Sequence, residues 1–320
     1  MHSSFFLSFH GLGFWLAGLL LIVVLGCGGQ GHQDSPAAAG SEPSMPVPTA
    51  EEHLAAVEAW HAGRIERLRS ESGWLTLVGL FWLEEGENTF GSGEENDLVF
   101  PPTAPKTGGS LFLVGGKVQL EAAPGVEITF EGEPVSQMEM ASDATGNHSR
   151  VEMGSFNFYI IDRGGRLGVR LKDKLAPALQ TFEGIDRFPV DPRWRIEARW
   201  EAYDPPKMIG IPDVLGEVSQ VECLGAAVFE VDGQAIRLEP TGELSELFLV
   251  FGDKTNGKAT YGAGRFLVLG EPAGGKVIVD FNQAYNPPCV FTPYATCPLP
   301  PKQNKLAVAI PAGEKDWGHH

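Results

Sequence analysis

Residues 280–304 read DFNQAYNPPCVFTPYATCPLPPKQN, and this stretch decides how the chain can fold. It follows an apolar run and brings together six prolines, two cysteines and three asparagines. Proline fixes φ and lacks an amide donor, so the stretch predicts neither a helix nor a central strand. We expect a stiff loop that closes a β-domain and displays polar side chains in fixed directions.

The composition around this loop favours β-structure and argues against one class of partner. The 320 residues include 40 glycines and 24 prolines, which predicts many turns, and 43% of the residues are hydrophobic, enough for a large core. The formal net charge is −17, and the lysines and arginines form no cluster. We therefore expect no nucleic-acid partner, because phosphate backbones are bound by a concentrated basic surface.

The first fifty residues predict export and a lipid anchor. Residues 1–26 are interpreted as a signal peptide, because Phe5–Leu25 is almost wholly apolar. Val24-Leu25-Gly26-Cys27 resembles a bacterial lipobox, in which the cysteine is diacylated before cleavage. Residues 27–50 would then be the lipidated cysteine and a flexible tether rich in Gly, Ala, Ser and Pro. This places the protein at a membrane of the cell envelope, in the periplasm or at the cell surface, with an uncleaved membrane anchor as the alternative.

The rest of the chain predicts a mainly β protein, in which an N-terminal helix precedes two antiparallel β-units. The helix covers residues 51–72, where apolar positions follow a helical period. Short apolar runs separated by Gly, Pro and Asp/Asn turns then form a first β-unit at 73–175 and a second at 176–318. Each is expected to be a sandwich or barrel-like, and the Pro-rich loop 280–304 closes the second.

The first β-unit weakly resembles a forkhead-associated sandwich. The resemblance is carried by GENTFGS at 86–92, NDLVF at 96–100 and GEPV at 132–135. In that family an arginine follows the glycine that is Gly91 here, whereas this chain has Ser92. The resemblance therefore implies the shape of the sandwich and not the phosphopeptide binding.

Longer motifs carry a second resemblance over most of the chain. They are GWL at 73–75 with GLFWL at 79–83, DPRW at 191–194, YGAGRFL at 261–267, the stretch 280–304, and AGEK at 312–315. On these motifs the chain resembles a bacterial and archaeal family catalogued as domain of unknown function 1684, from Trp60 to Lys315. The resemblance implies no activity, but many members look like exported lipoproteins, in agreement with Cys27.

Histidine, metal and cofactor chemistry find little support in the sequence. Within the β-units the only histidine is His148, in a turn-forming loop, and no Gly-x-Ser-x-Gly elbow of a serine hydrolase accompanies it. His53 and His61 lie on the helix, where we expect them to be solvated. No cysteine spacing matches a zinc motif, so we expect no metal and no cofactor. Cys289 and Cys297 form a possible disulfide, with two free thiols as the alternative.

The candidate site consists of polar side chains in the closing loop and just before it. They are Tyr261, Arg265, Asp280, Asn282, Tyr285, Asn286 and Tyr294. If residues 270–276 join adjacent antiparallel strands, Arg265 and Asp280 face one another, and the arginine lowers the pKa of the aspartate. These groups either bind a polar ligand or satisfy the backbone donors that a proline-rich loop leaves open, and we slightly favour the second.

We expect an exported cell-envelope lipoprotein that serves as a binding or structural module for a polar ligand such as a glycan. The candidate aromatic faces for this ligand are those of Trp82, Trp194 and Trp200. The alternative is a carboxylate-dependent hydrolase in the second β-unit, in which Asp280 acts with Asp186, Asp191 or Glu314. Two carboxylates within about 10 Å across an open cleft would favour the enzyme. The sequence assigns no catalytic residue and no oligomeric state.

Overall fold

The computed structural model describes residues 47–318, which begin with the expected helix. Helix α1 spans Ala50–Arg69. The Thr49 hydroxyl accepts a hydrogen bond from the Glu52 amide, while the Glu52 carboxylate accepts one from the Thr49 amide. This reciprocal capping box satisfies two donors that a helix start leaves open. The buried residues of α1 are His53, Val57, Arg64 and Leu68.

The first β-unit is a sandwich of two sheets that share one core. Its strands are β1 Leu77–Trp82, β2 Gly86–Gly91, β3 Leu98–Val99, β4 Gly109–Val114, β5 Lys117–Ala122, β6 Thr129–Phe130, β7 Glu133–Pro134, β8 Gln137–Met140, β9 Arg150–Met153, β10 Phe156–Arg163 and β11 Arg166–Asp173. One sheet has the order β1-β11-β10-β9-β6-β7 and the other β3-β2-β4-β5-β8. Alternate residues of both sheets, among them Phe90, Leu120, Phe158 and Leu171, meet in the core.

The second β-unit also has two sheets, with a separate core. A short helix, α2 Pro177–Thr181, lies before its strands, which are β12 Arg195–Pro212, β13 Val218–Val231, β14 Gln234–Leu238, β15 Thr241–Glu243, β16 Glu246–Phe251, β17 Arg265–Leu269 and β18 Lys276–Asp280. The sheet orders are β14-β13-β12-β18 and β15-β16-β17. Leu238, Leu249, Phe251 and Val279 are fully buried in this core. The prediction of a mainly β protein with an N-terminal helix is confirmed.

The connection at 270–276 differs from the expected hairpin. Strand β17 pairs with β16, whereas β18 pairs with β12, so the connection passes from one sheet to the other. In this pairing Asp280 lies opposite Arg195. The two strands on either side of the loop therefore do not bring Arg265 and Asp280 face to face.

The closing loop 280–304 reaches both β-units, not only the one that it was expected to close. The Thr292 hydroxyl donates to the Leu77 carbonyl at the start of β1, at 3.1 Å. Arg163 at the end of β10 donates through Nε to the Thr296 hydroxyl, at 3.2 Å. The stiffness that proline gives the loop thus helps to hold the two sandwiches together.

The expected signal peptide at 1–26, Cys27 and most of the tether lie outside the described residues. Within residues 47–318, no helix is both long enough and apolar enough to cross a membrane.

Gly313 allows the C-terminal segment to run unusually close to the closing loop. Its φ is +76°, and a Cβ atom here would lie 2.4 Å from the Ala284 carbonyl oxygen and 2.8 Å from that of Phe281. Gly146 has the same φ of +76°, but a Cβ atom there would meet nothing within 4 Å. Alanine substitutions at the two glycines therefore distinguish the cost of a left-handed backbone, which both share, from the cost of the close approach, which only Gly313 has.

We predict that Gly313→Ala lowers the free energy of unfolding more than Gly146→Ala does. Both variants force a side chain into the left-handed region, at roughly 1–2 kcal/mol. Gly313→Ala also forces the backbones apart, which adds about 1–3 kcal/mol. Urea denaturation of both variants measures the difference, and equal losses would contradict the close approach at Gly313.

Candidate functional site

Arg265 is a core residue and does not pair with Asp280. Its side chain is fully buried, and Nη2 donates to Asp253 Oδ2 at 2.8 Å and to the Ile310 carbonyl at 2.9 Å. Nη1 donates to the Ala312 carbonyl. Burial lowers the pKa of Arg265, and the negative charge of Asp253 opposes this shift. Because β17 and β18 belong to different sheets, the expected pair with Asp280 is wrong.

The partner of Asp280 is His53 on helix α1. His53 Nε2 lies 2.7 Å from Asp280 Oδ2, and the two residues are only 4% and 9% exposed. The second oxygen, Oδ1, accepts from the Asn282 amide at 3.1 Å and from Asn282 Nδ2 at 2.8 Å. Both oxygens of this carboxylate are therefore engaged inside the protein. The expectation that His53 is solvated is wrong, since it anchors the helix to the end of β18.

The two asparagines of the candidate site bond to the backbone of neighbouring segments. Asn282 Oδ1 accepts from the Asp191 amide at 3.0 Å, and Nδ2 donates to the Asp191 carbonyl at 3.1 Å. Asn286 Nδ2 donates to the Lys315 carbonyl at 2.7 Å. These contacts give the two asparagines a structural role, but their bonds go to segments outside the closing loop. The open loop donor of the predicted kind is the Asn282 amide, which donates to Asp280 Oδ1.

A second buried ion pair, between Arg64 and Glu314, lies next to these contacts. Arg64 Nε donates to Glu314 Oε1 at 2.5 Å and Nη2 donates to Oε2 at 3.2 Å, while Glu314 is 1% exposed. The same Nη2 donates to the Asn286 carbonyl at 2.9 Å, and the Asn286 amide donates to Glu314 Oε2 at 2.7 Å. The guanidinium carbon lies 4.5 Å from the centre of the Tyr285 ring. Helix, closing loop and C-terminal segment therefore meet at one carboxylate.

The three tyrosines of the candidate site have different surroundings. Burial raises the pKa of Tyr285, which packs under Arg64. Burial also raises the pKa of Tyr261, which packs with the apolar cluster around Phe291. Tyr294 is 38% exposed. The predicted set of seven residues is thus distributed over several environments and does not form one pocket.

The cysteines of the closing loop are joined as a disulfide. Cys289 and Cys297 have their Cα atoms 6.2 Å apart, as the predicted pairing requires. Cys223 is a free, buried thiol whose Sγ donates to the Gly225 carbonyl, and burial raises its pKa.

An aromatic cleft of about 570 Å³ runs along one side of helix α1. Its aromatic walls are Trp60, Trp74 and Tyr285, and its polar groups include Arg67, Ser70, Ser72 and Glu246. All three rings are partly exposed. This aromatic cleft contains only one of the residues predicted from the sequence, Tyr285.

A polar cleft of about 780 Å³ opens on another side of α1. Charged and polar residues dominate its lining, which includes His61, Arg69, Thr181, Glu183, Asp186 and Asp316. Burial lowers the pKa of His61, and the negative charge of Glu314 opposes this shift. The imidazole is therefore mainly neutral at pH 7. Within residues 47–318, no group of three or more His, Cys, Asp and Glu side chains could hold a metal ion.

Comparison with known proteins gives a family for this fold. The family described as "Protein of unknown function (DUF1684)" matches residues 180–315, most of the second β-unit. A solution NMR structure of the uncharacterized protein from gene locus rrnAC0354 of Haloarcula marismortui is 30% identical, with a TM-score of 0.37. The alignment covers 44% of this chain and 80% of that chain. The chain belongs to the DUF1684 family.

Two further structures similar to this DUF1684 chain are forkhead-associated domains. One is the FHA domain of FhaA, solved with the intracellular domain of Rv3910, and the other is the FHA domain of Rv0020c. The FhaA domain is 15% identical, and its alignment covers 29% of this chain and 97% of that domain. The Rv0020c domain is 14% identical, and its alignment covers 30% of this chain and 94% of that domain. Each has a TM-score of 0.21. The likeness to that fold therefore stays weak. No curated protein sequence matches the chain.

The most important site residues of this DUF1684 chain that the sequence did not indicate are on helix α1. His53, Arg64 and Trp60 contact the second β-unit or line the aromatic cleft, although their positions read as an ordinary amphipathic helix. One signal was present in the sequence: His53, Val57, Arg64 and Leu68 follow the four-and-seven spacing of a single helix face. The aromatic faces predicted at Trp82, Trp194 and Trp200 do not line either cleft.

We predict that Arg64→Met lowers the free energy of unfolding by about 3–5 kcal/mol, because Glu314 would remain buried without its partner. The matched control is Lys117→Met, which removes an ion pair with Glu139 whose side chains are 73% and 61% exposed. That control should change stability little, since exposed ion pairs contribute little. Chemical denaturation compares the two, and a similar small change in both would show that the Arg64 contact is not important for stability.

Proposed function

We propose that the protein is an exported, lipid-anchored protein of the cell envelope whose folded part binds a glycan or a similar polar ligand. Cys27 follows an apolar segment in a lipobox-like setting, and a segment rich in Gly, Ala, Ser and Pro separates it from helix α1 in the sequence. The observation that carries the binding role is the aromatic cleft beside α1.

The chemistry of the aromatic cleft suits a sugar. The rings of Trp60, Trp74 and Tyr285 line the cleft and are partly exposed, so they offer apolar surface against which the carbon–hydrogen face of a sugar ring can pack. Arg67 and Glu246 are exposed at the same cleft and supply hydrogen-bond donors and acceptors for hydroxyl groups. Ligand sites commonly combine apolar walls with a few polar groups in this way. Arg265 and the loop amides take no part, since they are engaged inside the fold.

A hydrolase is the second candidate, and the polar cleft favours it. Asp280 no longer supports this alternative, because its oxygens bond to His53 and Asn282. Asp186, which the hydrolase hypothesis also named, lines the polar cleft together with Asp316 and His61. Carboxylates in an open cleft with a neutral imidazole provide groups that can accept and donate protons.

The lipid anchor predicts that Cys27→Ala abolishes labelling of the protein by a clickable palmitate analogue. The thiol of Cys27 is the proposed acceptor of the lipid, so the variant has no atom to modify. Cys223→Ala is the control and should keep the label, because that thiol is buried in the second β-unit. In-gel fluorescence of cells fed with the analogue reads out both variants, and continued labelling of Cys27→Ala would refute the anchor.

The binding role predicts that Trp60→Ala and Glu246→Gln each weaken glycan binding about tenfold or more. A glycan array identifies a bound sugar, and isothermal titration calorimetry then measures the affinity of each variant. Trp82→Ala is the control, since Trp82 lies outside the cleft beneath Arg166, with the guanidinium 4.4 Å from its ring centre. Near-ultraviolet circular dichroism verifies that the variants are folded.

Two results would decide against this assignment. Equal affinity in wild type and in both cleft variants would place the ligand elsewhere. Turnover of the bound glycan that Asp186→Asn abolishes, with binding retained, would favour the hydrolase.

A further inference from the structure

Three cations share the outer face of the six-stranded sheet in the first β-unit. Tyr159 on β10 pairs with Arg150 on β9 and with Arg170 on β11, so these three side chains lie in one row across the sheet. Lys172 is two residues beyond Arg170 and therefore points to the same face. The intervening residue, Leu171, belongs to the core on the opposite face. We call Arg150, Arg170 and Lys172 the cation row.

The cation row is largely buried between the sheet and the segments that cover it. Arg170 is 5% exposed and Lys172 is 4% exposed, while Arg150 is partly exposed at the end of the row. Arg170 Nη1 donates to the Tyr159 hydroxyl and Nη2 donates to the Thr296 hydroxyl of the closing loop, both at 3.3 Å. Lys172 Nζ donates to the Ser72 carbonyl. All of these acceptors are neutral.

Within the described part of the chain, none of the three cations has an ion-pair partner. The neighbouring carboxylates are already engaged, since Asp143 pairs with Arg163 at 2.8 Å and Glu152 pairs with Lys174 at 3.4 Å. Burial and the positive charges of Arg150 and Arg170 lower the pKa of Lys172 to about 8. Like charges held together away from water are costly unless an opposite charge joins them.

Unused donors and aromatic rings complete the surroundings of the row. The Nε atoms of Arg150 and Arg170 are buried and have no hydrogen-bond partner within the described residues. The guanidinium carbons lie 5.7 Å and 5.9 Å from the centre of the Tyr159 ring, and Lys172 Nζ lies 5.3 Å from that of Trp74. Aromatic faces attract cations, but they offer no acceptor for these N–H groups. Buried donors are normally satisfied, so these two Nε–H groups are available to donate to a ligand.

We propose that the cation row is a binding site for a phosphate-type oxyanion. A tetrahedral anion with more than one negative charge would offset much of the positive charge of the three cations and accept from both guanidinium groups. Guanidinium forks match the spacing of phosphate oxygens, and such charge-assisted bonds are short and strong. The Arg150 end of the row is the more exposed one, since Arg150 and the neighbouring His148 are both partly exposed, and His148 packs on Tyr159 with the ring centres 4.5 Å apart. The site does not rest on the glycan assignment, although Ser72 and Trp74, which contact Lys172, also line the aromatic cleft.

The test is isothermal titration calorimetry of the full-length chain at pH 7 with inorganic phosphate, against potassium chloride of equal ionic strength. We expect saturable one-to-one binding to the wild type. Arg150→Gln and Arg170→Gln should each weaken it about tenfold or more. Arg166→Gln is the matched control, because Arg166 is an exposed arginine on the same strand as Arg170 and should leave phosphate binding unchanged.

Glycerol phosphate, a soluble counterpart of a lipid headgroup, distinguishes the possible sources of the anion. Tighter binding of glycerol phosphate assigns the site to a phosphate ester, and tighter binding of inorganic phosphate assigns it to the free ion. Either result supports the site if Arg150→Gln weakens the binding. Arg150 is only partly buried, so this variant remains informative if Arg170→Gln does not fold. Absence of saturable binding of both compounds to the wild type, or equal affinity in wild type and Arg150→Gln, would overturn the proposal.

Discussion

The ion pair between Arg64 and Glu314 connects segments of the chain that are far apart in sequence. Glu314 accepts both from Arg64 on the helix and from the Asn286 amide in the closing loop. Because the carboxylate is 1% exposed, water cannot replace a lost partner. A buried pair of this kind is favourable only when its geometry is nearly ideal and its remaining lone pairs are used, so it specifies one arrangement of helix, loop and C-terminal segment.

The positions of both clefts depend on how helix α1 is fixed. His53 and Arg64 lie three turns apart on the same helix face, about 16 Å along its axis, and each is bonded to a carboxylate outside the helix. Two anchors define the direction of a helix, whereas one would leave it free to pivot. Because α1 is fixed in this way, Trp60 is held beside Tyr285 in the aromatic cleft, with ring centres 6.1 Å apart, and His61 is held in the polar cleft.

The sequence was sufficient for the mainly β class, the N-terminal helix and a closing loop without an α-helix or a β-strand, because these follow from local pattern. The arrangement of strands was not predictable in the same way. Strands β17 and β18 are joined by a short loop, which favours a hairpin, yet β17 pairs with the strand before it, β16, and β18 pairs with β12, much earlier in the chain. The partners of Arg265 and Asp280 follow from that strand pairing. The wrongly predicted hairpin therefore led to the wrongly predicted pair of Arg265 with Asp280. His53 was misjudged because the local pattern of the helix does not show that a carboxylate, that of Asp280, reaches it from elsewhere in the fold.

The buried arginines of this acidic protein differ in how their charge is balanced. Arg64 and Arg265 each contact a buried carboxylate, Glu314 and Asp253 respectively. Arg170 is buried to a similar extent, but its acceptors are two neutral hydroxyl groups. A chain with a net charge of −17 has many carboxylates that could have occupied this position. The fold thus pairs Arg64 and Arg265 with carboxylates, whereas within the described residues Arg170, beside Arg150 and Lys172, has no ion pair. This is the arrangement that an external anion would complete.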